Sequence, residues 1–226
     1  MAEAITTAEQ AIARANALTR LHTVSGAPPA ASLIRMPQDD TPFLGEPNMG
    51  RPVWRVDYPN SSLKFASAAP NAKDRYRRSF AAYLEAVSGR LFSISSTHEG
   101  EPDPDMRPMP MCGPATAQLS AEEEVYGGYP DAAPAVDFLG ALETILNGGI
   151  GSPFQAKQIH AAYVTHSRMG SALRGAWAIT FLGIPPISAR GPQGDRVPVW
   201  QRNFIRNVVD AATGEPFFAT NGPMPS

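Results

Sequence analysis

Asp210-Ala211-Ala212-Thr213-Gly214-Glu215-Pro216-Phe217 echoes an earlier stretch of the same chain, Glu85-Ala86-Val87-Ser88-Gly89-Arg90-Leu91-Phe92. Upstream of each lies an aromatic segment. Val53-Trp54-Arg55-Val56-Asp57-Tyr58 precedes the first, and Ala176-Trp177-Ala178-Ile179-Thr180-Phe181 precedes the second. The turn stretches begin 125 residues apart, and the two tryptophans lie 123 apart. Two motifs in the same order at nearly the same offset predict one unit, duplicated and diverged. The expected division is residues 1–98 as a first unit, 99–130 as a Pro-, Met- and Glu-rich connection, and 131–226 as a second unit.

Working outward from these motifs, each unit reads as a helix followed by antiparallel strands. Ala8, Ala11, Ile12, Ala15, Leu18 and Leu21 recur at helical spacing, which predicts a helix over Thr7–Leu21. Thr6 with Glu9, or Thr7 with Gln10, suits a capping box at its start. Phe138, Leu139, Leu142, Ile145 and Leu146 predict a second helix over Ala135–Asn147, with Asp131 ahead of Pro134 at its beginning. Ser32–Met36, Val53–Tyr58, Leu91–Ser95, Ile159–Thr165, Trp177–Leu182, Val199–Val209 and Phe217–Ala219 read as strands. In Ile159–Thr165, Ala161, Tyr163 and Thr165 are expected opposite Ile159, Ala162 and Val164.

Tyr76–Val87 fits both periods. Phe80, Tyr83, Leu84 and Val87 have helical spacing, while Phe80, Ala82, Leu84 and Ala86 alternate. Its counterpart, Asn203 to Asp210, is β-branched and carries two asparagines, so it favours a strand. The same state is therefore expected of Tyr76–Val87. The fold class is α+β: two tandem units, each a helix packed on an antiparallel sheet.

The second copy, with its Asp210-Ala-Ala-Thr-Gly-Glu215 turn behind the Trp177 strand and a helix, resembles the PepSY domain family. In the first copy Glu85 replaces the aspartate and Arg90 the last acidic residue. The resemblance implies a cystatin-like helix-plus-sheet fold. It also implies a binding or inhibitory module, often associated with proteases or the cell envelope, with no catalytic centre of its own.

Composition narrows the function classes. The chain has 226 residues, a net charge of −2 and a single cysteine, Cys112. That balance provides no strong field for nucleic acid or an anionic membrane. One cysteine excludes an intramolecular disulfide and a CxxC metal site. The N-terminal residues show no basic-then-apolar run, and no window reaches the roughly 18 apolar residues of a membrane helix. The expectation is a soluble, cytoplasmic chain; the same residues fit the mature part of an exported one.

Several clusters invite a chemical reading, and each has a plainer one. Met106, Met109, Met111 and Cys112, with His98 nearby, offer soft sulfur ligands suited to Cu(I). Methionine also fills irregular apolar gaps, and Pro104, Pro108 and Pro110 stiffen the segment either way. Cys112 could act as a nucleophile with His160 or His166 as base, but no elbow motif surrounds it. Asp210, Thr213 and Glu215 suit a self-capped turn better than a ligand site. Glu122-Glu123-Glu124 reads as a solvated face. Gly148-Gly149-Ile150-Gly151 has neither the strand before it nor the Lys-Ser/Thr after it that a phosphate loop needs. Trp54, Trp177 and Trp200 read as sheet anchors, because no basic patch accompanies them.

No residue is assigned a catalytic, cofactor or metal role. The expected function is a non-enzymatic binding or accessory module acting through protein–protein contacts, with inhibition among its expected effects. The alternatives are a small enzyme with its site at the junction of the two units, and a soft-metal (copper) protein. The Pro-rich loops Pro37–Pro52 and Glu99–Pro130 are the expected contact surfaces.

Overall fold

Thr7 begins the first helix. Its hydroxyl accepts from the Gln10 amide and Gln10 Oε1 accepts from the Thr7 amide, both at 3.2 Å. This closes the second of the two capping boxes that the sequence allows. Helix α1 spans Ala8–Thr19 and stops where Arg20 turns left-handed at φ 56°. Ala11, Ala15 and Leu18 are buried, so a narrow, small-residue face lies against the sheet. The computed structural model describes residues 4–23, 27–36, 50–62, 77–97, 124–126, 129–147, 156, 158–168, 172–183, 187–190, 196–200 and 204–222.

The strands are β1 (Ala30–Arg35), β2 (Pro52–Ser62), β3 (Arg77–Glu85), β4 (Leu91–Thr97), β5 (Glu124–Tyr126), β6 (Gln158–Arg168), β7 (Arg174–Leu182), β8 (Ile187–Arg190), β9 (Arg196–Trp200), β10 (Phe204–Asp210) and β11 (Pro216–Gly222). Helix α2 (Phe138–Asn147) stands between β5 and β6. One nine-stranded sheet runs β1-β2-β3-β4-β6-β7-β10-β11, with β5 paired to the far end of β6. All its pairings are antiparallel. The class is therefore mixed α+β, with two helices on one sheet. Strands β4 and β6 join the two four-stranded meanders through Ile94↔Ala161 to Thr97↔Gln158. β8 and β9 form a separate hairpin between β7 and β10.

The ambiguous Tyr76–Val87 segment is strand β3. Phe80, Ala82 and Leu84 enter the helix-side core, while Ala81 and Tyr83 enter a cluster on the other face with Val53 and Phe92. Apolar residues on both faces explain why its alternation was hard to read.

Several pairings in the two meanders run alike. Trp54 faces Leu84 across β2–β3, and Trp177 faces Val209 across β7–β10. The register shifts between Tyr83 and Leu84 in one half and between Val208 and Val209 in the other. At the turns, Gly89 N–H donates to Glu85 O and Gly214 N–H to Asp210 O, each at 2.8 Å. Both glycines have positive φ, 64° and 79°. The Ile5 amide donates to Ala86 O at 2.9 Å, and the Val136 amide to Ala211 O at 2.8 Å, so each turn also anchors the residue leading into a helix. The indole N–H of Trp54 donates to Ile5 O at 3.0 Å, and that of Trp177 to Val136 O at 2.8 Å.

One core serves both helices. Leu18, Tyr58, Leu84, Phe138, Leu142 and Trp177 belong to the same buried cluster. Two ion pairs tie the helices together: Arg20 reaches Asp137 at 3.4 Å and Glu143 at 3.1 Å. Arg78, 2% exposed on β3, spans the join of the meanders. It donates to Ser96 Oγ at 3.1 Å and to the Ala156 carbonyl oxygen. Burial draws its guanidinium down to about 10.

Four details differ from the sequence expectations. Asp137, not Asp131, caps α2, accepting from the Gly140 amide at 2.7 Å. The stretch Val199–Val209 is two strands, because the β8–β9 hairpin consumes its first residues. Ile159, Ala161 and Tyr163 share the helix side of β6 while Ala162 and Val164 face away, as strict alternation requires. Trp177 is fully buried, whereas Trp54 is only half-buried.

Candidate functional site

Beyond the Ile94↔Ala161 pair, no further β4–β6 pairing forms, and the segment Tyr129–Pro134 lies beside the two strands. The Tyr129 ring lies 5.0 Å from Phe92. Three residues on, the Ala132 carbonyl accepts from the Tyr163 hydroxyl at 2.8 Å. Between this segment, α1 and the first hairpin lies a cleft of about 280 Å³. Leu18, Leu91, Tyr163 and Trp177 contribute to its lining from four different elements.

The floor is held rigidly. Trp177 packs between Tyr163 and Phe138, ring centroids 5.3 Å and 5.8 Å away, both rings tilted against it. Tyr163 stands beside Gly175 on the neighbouring strand, where a Cβ would lie 2.7 Å from its hydroxyl oxygen. The glycine therefore makes room for the ring. Burial raises the Tyr163 phenol above its ordinary value, so it remains a neutral hydrogen-bond donor.

Charge enters at the walls. Arg14 on α1 donates through Nε to Gly89 O at 3.2 Å. That bond fixes the guanidinium against the hairpin; among the described residues its terminal nitrogens have no partner. Arg90, the next residue of the hairpin, faces the fully exposed carboxylate of Asp131 at 3.6 Å. The cleft thus combines an apolar, aromatic floor with two guanidiniums and one displaceable carboxylate. It can seat an apolar group while pairing an attached anion. Among the described residues, its titratable lining is Arg14, Arg90, Asp131, Tyr129 and Tyr163.

Of the candidate residues singled out by sequence, Trp177 lines the cleft; the other described ones lie elsewhere. Asp210 caps its own turn, accepting from the Ala212 amide at 2.8 Å and the Thr213 amide at 3.3 Å. Its other oxygen pairs with Arg174 at 3.1 Å. Burial pushes the carboxyl upward, but the Ala212 amide, Arg174 and the Thr213 amide outweigh it and hold Asp210 below the usual carboxylate value. Thr213 accepts from the Glu215 amide at 3.2 Å, and Glu215 is exposed. Glu85, Ser88 and Arg51 repeat the arrangement: Ser88 hydroxyl donates to Glu85, and Arg51 pairs with Glu85 at 3.6 Å.

His160 and His166 sit on β6 roughly 20 Å apart along the strand, on the face away from the helices and from the cleft floor. His166 is buried; His160 lies with a ring nitrogen 3.4 Å from Gln158 Oε1. His98, Met106, Met109, Met111, Cys112, Glu122, Glu123 and the Gly148–Gly151 run lie outside the described residues. So do residues 37–49 of the first Pro-rich loop and 99–123 of the second. Glu124 and Trp200 are placed only as strand backbone. No group of three metal-ligating side chains gathers among the described residues. No helix among them is long and apolar enough to cross a membrane.

Sequence reasoning gave Arg14, Arg90 and residues 131–134 no binding role, though Tyr129 and Pro130 close the expected contact loop Glu99–Pro130. No local signal marks them; they meet only because α1, the first hairpin and the linker converge on one gap in the sheet. In comparison with known proteins, the chain matches no family model, no curated protein and no solved structure.

Proposed function

We propose that the chain is two diverged copies of one helix-and-meander unit, fused through a shared sheet, and that it acts as a binding module for a partner protein. The paired hydrogen bonds of the two halves support the first part. The junction cleft carries the second: a preformed apolar floor between two guanidiniums suits an inserted side chain with an anion beside it. Trp, Tyr and Arg are the residue types that most often carry binding energy at interfaces. Arginines and a raised phenol hold an anion better than they move protons near neutrality, so binding is favoured over a reaction at the same place. The likeness of the Asp210–Glu215 turn to the PepSY domain agrees with this reading, and an inhibitory role would follow if the captured partner is a protease.

Selecting a random peptide library on the purified protein tests the proposal. Enriched peptides should shift the amide resonances of Leu91, Ala132 and Tyr163. Ala133→Trp, an exposed substitution on the cleft lining, should abolish their binding without lowering Tm. Peptides that bind Ala133→Trp as well as the parent protein would refute the assignment of the cleft.

A further inference from the structure

Resting on that reading, we infer that the cleft recognises a peptide carboxylate next to a bulky apolar side chain, and that Asp131 is an internal stand-in for that carboxylate. The argument starts from Arg90. Its guanidinium sits 3.6 Å from Asp131, a side chain wholly open to water and supplied by the same segment that walls the cleft. An exposed pair of this kind contributes little to stability. It nevertheless places a carboxylate where an incoming one would sit, so the wall is already complementary to that group.

Arg14 strengthens the case. Its Nε is committed to Gly89 O, which leaves the planar fork of its terminal nitrogens for a second acceptor. Gly89 and Arg90 are adjacent, so the two cations flank one point of the hairpin. A carboxylate suits paired donors of this kind. The floor of Leu18, Leu91 and Tyr163, backed by the fully buried Trp177, then takes the neighbouring side chain. A cleft of about 280 Å³ has room for one leucine- to phenylalanine-sized group and its backbone, not for a folded element. The chain's net charge of −2 argues against a polyanion such as nucleic acid as the occupant.

Fluorescence polarisation with labelled peptides is the test. The probes are acetyl-Gly-Phe-Glu-Gly-amide, the same peptide with Gln for Glu, and the same with Lys for Glu. Free phenylacetate serves as competitor for a small-molecule source of the same chemistry. The Glu peptide should bind at least threefold more tightly than the Gln peptide. Asp131→Asn should tighten the Glu peptide two- to fivefold and leave the Gln peptide unchanged, the range expected for releasing an exposed pair. Arg90→Glu should invert the preference toward the Lys peptide, a result that misfolding cannot produce. Equal binding of Glu and Gln peptides, both lost in Ala133→Trp, would overturn the carboxylate inference while leaving the cleft as a binding site. No binding of any peptide would overturn both. Phenylacetate matching the Glu peptide in affinity would overturn the peptide source.

Discussion

Replacing Trp177 by Phe should destabilise the protein by about 2–4 kcal/mol, whereas the same change at Trp54 should cost about 1 kcal/mol. Both rings donate an indole N–H to the backbone ahead of a helix, at 2.8 Å and 3.0 Å. Burial separates them: Trp177 is 0% exposed and Trp54 only half-buried. Phenylalanine cannot supply the N–H. Around a fully buried ring this leaves the Val136 carbonyl short of a donor, a loss of about 1–3 kcal/mol. The missing ring atoms leave roughly 40 Å³, which adds about 1 kcal/mol at the usual cavity coefficient. Around Trp54, water reaches the site and replaces much of what is lost. Urea denaturation followed by far-UV circular dichroism avoids using the altered tryptophan as its own reporter, and the slope should stay constant. A cost below about 1 kcal/mol for Trp177→Phe, or an equal or larger cost for Trp54→Phe, would refute the asymmetry argued from burial.

Two other outcomes follow from the second hairpin. Asp210 has a folded-state value below its unfolded one, so its contribution is present above about pH 4 and is lost as pH falls through the folded value. The urea midpoints of the parent and Asp210→Asn should therefore differ at pH 6, and the gap should narrow as pH falls below about 4; a gap unchanged by acid would show that the carboxylate's charge is irrelevant. Gly214 has φ +79°, and a Cβ there meets Val136 only at 3.5 Å, an ordinary contact. Gly214→Ala should thus cost about 1–2 kcal/mol through the backbone alone, with Gly214→Asn milder because Asn tolerates that conformation. Equal Tm losses for Ala and Asn would point to crowding instead.

Much of the fold was legible because its signals are local. The α1 face repeats at helical spacing and Thr7 and Gln10 sit three apart, so the helix and its start could be read directly. The β3 segment could be read only through its counterpart, because both of its faces are apolar. Pairing of β4 with β6 left no trace, since the contact joins residues more than sixty positions apart and uses ordinary strand residues. The faces of β6 were misread because Ile159 and Ala161 are apolar on one side and Ala162 and Val164 on the other. The cleft was illegible for a different reason. No local motif links Arg14, Arg90 and Tyr163; only the tertiary path of the chain makes them neighbours. The turn residues Asp210 and Thr213, by contrast, do what their side chains favour in any short turn.

The hairpin turns at Ser88-Gly89 and Thr213-Gly214 stand at one end of the sheet, and the β2–β3 and β7–β10 connections leave β2 and β7 at the other. From Ser62 to Arg77 the chain takes 14 intervening residues, and from Leu182 to Phe204 it takes 21, a hairpin among them. Closing the longer loop costs only about 0.4 kcal/mol more. The sheet therefore has permissive joints, β2–β3 and β7–β10, and constrained ones, the two short turns, where one added residue would displace a helix anchor. Arg90 and Leu91 place the cleft beside the first of the constrained turns. The permissive joints can change length over evolution, or accept a grafted sequence in the laboratory, while the binding geometry stays as it is.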